Sequence, residues 1–157
     1  MWEILRRFND TEPLARRLFL RATVLLPVIS LSLRLRGFRE TQLHLQKYLP
    51  TMGVVAASSR GNDSARHVAL TSRAVRSAAY RSIGKATCLE KSLALWWLLN
   101  RQRIASCVRI GVRKCGENVE AHAWVECDGM VVSDTQEPHR HYEAFHETFP
   151  IFDRAKK

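Results

Sequence analysis

The apolar positions of this chain follow a helical period up to about Arg103 and a period of two after it. From Ser64 to Arg81, Val68, Val75 and Ala79 recur at helical spacing among four arginines, which predicts a helix that Gly84 terminates. From Cys88 onward, Leu89, Leu93, Leu95, Trp96, Trp97, Leu98 and Leu99 leave little polar relief after Ser92. A helix apolar nearly all round belongs in the centre of a domain. Past Arg103, Val108, Ile110 and Val112 alternate with Arg109, Gly111 and Arg113, marking a strand. Val119, Ala121, Ala123 and Val125 alternate with Glu120, His122, Trp124 and Glu126, marking a second. Asp128-Gly129 is a hairpin signal, and Met130 to Thr135 supplies a third strand. The predicted class is α+β, with a central helix packed on an antiparallel meander.

Leu18 to Leu33 is the most apolar segment. Arg21 and Pro27 interrupt it, and it falls short of the roughly 20 residues that a membrane-spanning helix needs. It predicts a helix buried against the rest of the protein and kinked or broken near Pro27. Gly37 and Pro50 frame a second helix over Phe38 to Leu49, and Thr51 to Asp63 reads as a linker or mobile loop. The chain thus divides into a basic helical N-terminal region with its linker, residues 1–63, and a core, residues 64–157. Neither internal repeats nor low-complexity stretches interrupt it.

A length of 157 residues with 46% hydrophobic content supports one domain with a proper core, preceded by an extension. The formal charge of +10 changes that picture once it is located. Residues 1 to 87 hold 15 Lys and Arg against 5 Asp and Glu, and the remainder holds 10 of each. A basic front half therefore precedes a neutral half, and the front half is suited to meeting something acidic. A solvated basic surface with no partner is the plainer reading of the same charge. Cys88, Cys107, Cys115 and Cys127 form no C-x-x-C pair, so neither a zinc site nor a redox pair is signalled. The start carries no secretory signal, which points to reduced thiols in a cytoplasm.

The candidate chemistry starts at Cys88. Thr87 followed three residues later by Glu90 is a capping box, which makes Thr87 the N-cap and Cys88 the first helical residue. Unpaired N–H groups and the helix dipole favour a thiolate there and make the sulfur a nucleophile. His122 and Asp134 follow on paired strands, and the order Cys, His, Asp suggests an active site of papain or transglutaminase type. Asp134 would fix the imidazole tautomer, His122 would take the thiol proton, and the Cys88 N–H would be one oxyanion donor.

Whether His122 and Asp134 meet depends on the hairpin loop. A two-residue Asp128-Gly129 loop pairs Cys127 with Met130 and sets Asp134 opposite Ala123, with His122 on the other face. A three-residue loop, Cys127-Asp128-Gly129, with Gly129 left-handed in a bulge, pairs Glu126 with Met130. It sets His122 opposite Asp134, with Cβ atoms about 5 Å apart. Gly in the third loop position suits the bulge, and the three-residue loop is the expectation.

Each residue also has a plainer reading: Cys88 as a small buried side chain, His122 as a satisfied strand histidine, Asp134 as a strand end. The joint pattern outweighs its parts. Trp124, on the same face as His122, is expected to line the cleft and bind substrate, while Trp96 and Trp97 are read as core. His139, His141 and His146 lack a Cys or acidic pair at ligand spacing, so no metal is expected. Cys107, Cys115 and Cys127 lack the helix-start setting.

CLEKSLALWWLL from Cys88, the run Val108 to Lys114, AHAWVE from Ala121 to Glu126, and Asp128-Gly129 ahead of Asp134 together carry a resemblance. This ensemble resembles the leader peptidases of lasso-peptide biosynthesis, compact members of the transglutaminase-like cysteine protease superfamily. The match is specific over about Thr87 to Asp134 and general before it, where that family also has basic, Leu-rich helices. It implies a papain/transglutaminase-like core and a protease that removes the leader from a ribosomally made precursor, exposing the core peptide's N-terminal amine. A separate ATP-dependent macrolactam synthetase then joins that amine to an acidic side chain around a threaded tail. The resemblance assigns Cys88 as nucleophile, His122 as base and Asp134 as orienting acid, and calls for no cofactor. Some members carry a fused leader-recognition domain, a small winged-helix-like unit with a three-stranded sheet. The helical, Arg-rich residues 1–63 do not look like one, so the expectation is the split form acting with a separate leader-binding protein. The basic half is then a docking surface for that partner, the precursor or the synthetase.

Two other classes compete. A transglutaminase or acyltransferase would use the same Cys-His-Asp site and pass the thioester to an amine instead of water. A non-enzymatic basic helical protein would bind nucleic acid or membrane. No nucleic-acid motif accompanies the charge, so no nucleic-acid partner is expected, whereas a peripheral membrane contact through Leu18 to Leu33 is a standing alternative.

Overall fold

A computed structural model describes residues 12–50, 62–82, 84–133 and 142–144. Among these residues three helices, α1 (Pro13–Lys47), α2 (Asn62–Arg81) and α3 (Cys88–Arg101), precede four strands, β1 (Cys107–Cys115), β2 (Asn118–Cys127), β3 (Met130–Val131) and β4 (Glu143–Ala144). The class is α+β, as the periodicity predicts, with α2, α3, β1 and β2 at their expected places. Residues 51–61, most of the expected linker, lie outside the described residues.

α1 corrects the expectation of a break at Pro27. Pro13 opens the helix, where its missing N–H costs nothing, and Pro27 is accommodated inside it on the exposed side. The interruption falls at Gly37, with φ +76° and ψ 179°, a conformation that a residue bearing a Cβ avoids. The Gly37 carbonyl accepts a hydrogen bond from Thr41 Oγ1 at 2.8 Å, fixing the start of the second arm. By length and composition alone α1 is long and apolar enough to cross a membrane, so the expected shortfall in length is not met. Its two faces differ. Leu18, Ala22, Leu26 and Ile29 are buried, while Leu20, Val24, Val28, Leu31 and Leu35 are exposed.

The core draws on every layer. Ala22, Leu26, Ile29 and Leu45 of α1 and Val75 and Ala78 of α2 pack with Leu93, Leu95, Trp96, Leu98 and Leu99 of α3. Val108, Val125 and Cys127 complete the same cluster from the sheet. α3 touches both other helices and strands β1 and β2, which is why its sequence is apolar nearly all round.

The sheet order is β3-β2-β1-β4, with every pairing antiparallel. The β2–β3 loop overturns the expected three-residue bulge. Cys127 pairs with Met130 and Glu126 with Val131, leaving a two-residue loop. Asp128 (φ +49°) and Gly129 (φ +77°) are both left-handed, the pair of conformations whose twist matches that of the flanking strands. The third strand is also shorter than Met130 to Thr135. Val132 N–H still donates to Val125 O at 2.9 Å, but the Val132 carbonyl accepts from Ser72 Oγ of α2 at 2.7 Å. Val125 N–H is left to donate to Ser133 Oγ at 3.0 Å. The ladder stops there, and β2 is left without a described strand partner beyond Val125 on that side.

Candidate active site

The local chemistry of the α3 start is as expected. Glu90 N–H donates to Thr87 Oγ1 at 3.3 Å and Thr87 N–H donates to Glu90 Oε2 at 2.7 Å, closing the capping box. Lys91 N–H uses the Thr87 carbonyl at 3.1 Å. The N–H groups of Cys88 and Leu89 therefore stand at the helix start with no intrahelical acceptor. Cys88 is half-buried with a free thiol.

Where the strand ladder ends, α3 takes over the edge of β2. Ser92 is four residues beyond Cys88 and so lies on the same helix face. Its buried hydroxyl donates to the carbonyl of Ala123 at 2.9 Å. That bond ties the start of the second turn of α3 to the residue beside His122. Cys88 and His122 accordingly line one small cleft of about 70 Å³, together with Ser72, Arg76, Lys91 and Ser133. Two cations and no carboxylate stand among the described residues of that lining.

His122 sits in a row of rings. Its imidazole lies 5.2 Å from the Tyr142 ring and 6.1 Å from the Trp124 ring, centroid to centroid, and is nearly parallel to the latter at 21°. Ion pairs brace both ends of the row. Trp124 Nε1 donates to Glu126 Oε1 at 2.9 Å, and Glu126 Oε2 accepts from Arg109 Nε at 3.1 Å. At the other end the Arg113 guanidinium lies 4.8 Å over the Tyr142 ring and bonds Glu120. The hydrogen bond from Arg113 holds the Glu120 carboxyl below its usual range. Burial pushes the Cys107 thiol up, and the neighbouring Glu126 carboxylate adds to the effect.

The structure thus brings Cys88 and His122 together. Trp124 is only 3% exposed and is not among the described residues lining the cleft; it forms a wall behind the imidazole. Asp134, like His139, His141 and His146, lies outside the described residues. With a two-residue loop its place opposite His122 does not follow from the hairpin register. No group of three or more metal-ligating side chains occurs among the described residues. Sequence reasoning missed Ser92 and Tyr142. The four-residue step from Cys88 was a usable signal for Ser92, whereas Tyr142 precedes a two-residue strand paired to distant β1 and carries no local mark.

No curated protein and no solved structure matches the chain. The sequence model described as the transglutaminase-like superfamily matches residues 28–146, well over half the chain, from inside α1 to beyond β4. Cysteine-dependent catalysis is the general chemistry of that superfamily. A helix-start cysteine sharing a cleft with a strand histidine, within a matched span that covers both, means that the chain belongs to the transglutaminase-like superfamily.

Proposed function

We propose that this protein is a cysteine peptidase that cleaves the leader from a ribosomally made lasso-peptide precursor. The observation that carries the reading is Cys88, at the start of a capped helix, lining one cleft with His122. In this reading His122 takes the proton from Cys88 Sγ as the sulfur attacks the scissile carbonyl carbon. The C–N bond breaks, the imidazolium returns its proton to the leaving amine, and a thioester remains. Water, deprotonated by His122, then hydrolyses the thioester, releasing the leader acid and restoring the thiol. Asp134 is the orienting acid, and the Cys88 N–H donates to the oxyanion. The amine released is the core peptide's N-terminus, which a separate macrolactam synthetase consumes. A separate leader-binding protein presents the precursor, and all act in the cytoplasm.

The test is to incubate the protein with a lasso-peptide precursor and a leader-binding protein and to weigh the products. Free leader and free core are expected, and Cys88→Ala abolishes both while partner binding persists. Intact precursor, or an amine adduct in place of free leader, overturns the peptidase reading; the adduct would instead indicate acyl transfer.

A further inference from the structure

A second, larger concavity of about 560 Å³ lies between α1 and the turn that enters α3. Its floor is apolar, with Leu26, Pro27 and Leu31 on one side and Ala78 and Ala86 on the other. Three cations, Arg34, Arg81 and Lys85, line it, and none has a carboxylate partner among the described residues. The Arg81 guanidinium rests over the Phe19 ring at 5.3 Å, and both line a neighbouring concavity, so Arg34 and Lys85 are the cations that belong to this groove alone. The one carboxylate in the lining, Glu90, is turned into the capping box, with Oε2 held by Thr87 N–H. Thr87, the chain neighbour of Cys88, is among the residues that line the groove. The small cleft that Cys88 itself lines adds Arg76 and Lys91, again with no described carboxylate.

Cations without carboxylate partners beside an apolar floor call for an occupant that supplies both anions and apolar side chains. A free phosphate would leave the floor wet, and a flat lipid surface does not enter a concave groove between two helical segments. A peptide chain meets both demands. We propose that this groove holds an extended segment of the substrate, bearing acidic and apolar side chains, on one side of the bond that Cys88 attacks. The inference rests on the peptidase reading above and names the substrate class of that site.

The probe is a fluorescein-labelled peptide of alternating Leu and Glu, with a Leu and Gln peptide of equal length beside it. Binding is read by anisotropy on the full chain carrying Cys88→Ala, at physiological salt. Arg34→Glu with Lys85→Glu reverses the groove charge. Arg36→Glu with Arg39→Glu makes the same change in net charge elsewhere on α1, and unchanged melting temperatures keep folding out of the comparison. The groove pair is expected to weaken the Leu and Glu peptide by roughly tenfold for each reversed cation, and the control pair by less than about threefold. The Gln peptide should bind wild type more weakly than the Glu peptide. Equal losses in both pairs, or no preference for Glu over Gln, overturn the proposal. So does binding of phosphatidylglycerol vesicles that the groove pair abolishes while peptide binding stays. Cleavage of the precursor is scored separately in proteins that retain Cys88. An unchanged KM in the groove pair overturns the groove and leaves the peptidase standing; wild-type binding without cleavage does the reverse.

Discussion

Gly111 faces His122 across the β1–β2 ladder, and adding one methyl group there probes the aromatic row behind the imidazole. A Cβ at Gly111 would lie 2.9 Å from Trp124 Cη2, 3.0 Å from Trp124 Cζ3 and 3.0 Å from the Glu143 carbonyl oxygen. Carbon atoms pack at about 3.5–4.0 Å, so these neighbours must retreat by roughly 0.5–1 Å. Neither does so cheaply. The indole is held by Glu126, which Arg109 holds in turn, and Glu143 belongs to β4, paired to β1 at Val112. Overpacking of this kind costs about 1–3 kcal/mol, of which about 0.4–1 kcal/mol is offset because alanine restricts the unfolded chain. The midpoint, a net loss of about 1.3 kcal/mol, corresponds in a chain of this size to a melting temperature lower by about 3–5 °C. Thermal unfolding followed by near-ultraviolet circular dichroism reads both the loss and the displaced indole. Pairing Gly111→Ala with Trp124→Leu should recover part of the loss, since the ring that clashes is gone. A Gly111→Ala protein as stable as wild type, with an unaltered indole signal, would refute the reasoning.

Three further outcomes are expected. Ser92→Ala leaves the Ala123 carbonyl without its buried donor and should cost about 1–3 kcal/mol in urea unfolding. Thr87→Ala removes the acceptor for Glu90 N–H and should cost about 0.5–2 kcal/mol, with Thr87→Ser restoring most of it, measured in the same way. The raised Cys107 thiol holds less thiolate at mildly alkaline pH, so iodoacetamide labelling mapped by mass spectrometry should modify exposed Cys115 before half-buried Cys107. Its thiolate fraction should catch up only as pH rises above the ordinary cysteine range.

The start of α3 was legible in the sequence because its signal is local: Thr87 and Glu90 are three residues apart and satisfy each other. The β1 and β2 strands were legible for the same reason, through alternation. What escaped is set by contacts far along the chain. The choice between a two- and a three-residue loop turned on Asp128 adopting positive φ, and the early stop of β3 turned on Ser72, 60 residues before Val132, capturing a carbonyl. Pro27 reads as a breaker yet stays within the helix, whereas Gly37, which the sequence sets before a second helix, does take the non-helical conformation. The α3 side of the site was therefore readable, while the cleft wall contributed by Ser72 and Ser133 was not.

The shortened β3 has a consequence for how a chain is recognised at this cleft. Proteins that capture extended peptides often do so by letting them join a sheet edge, where the backbone is read without regard to sequence. Here the Ala123 carbonyl is occupied by Ser92 and the Val125 N–H by Ser133. Strand addition at those two positions is closed. At those two positions a visiting chain gains affinity through side chains, and contacts of that kind select by sequence.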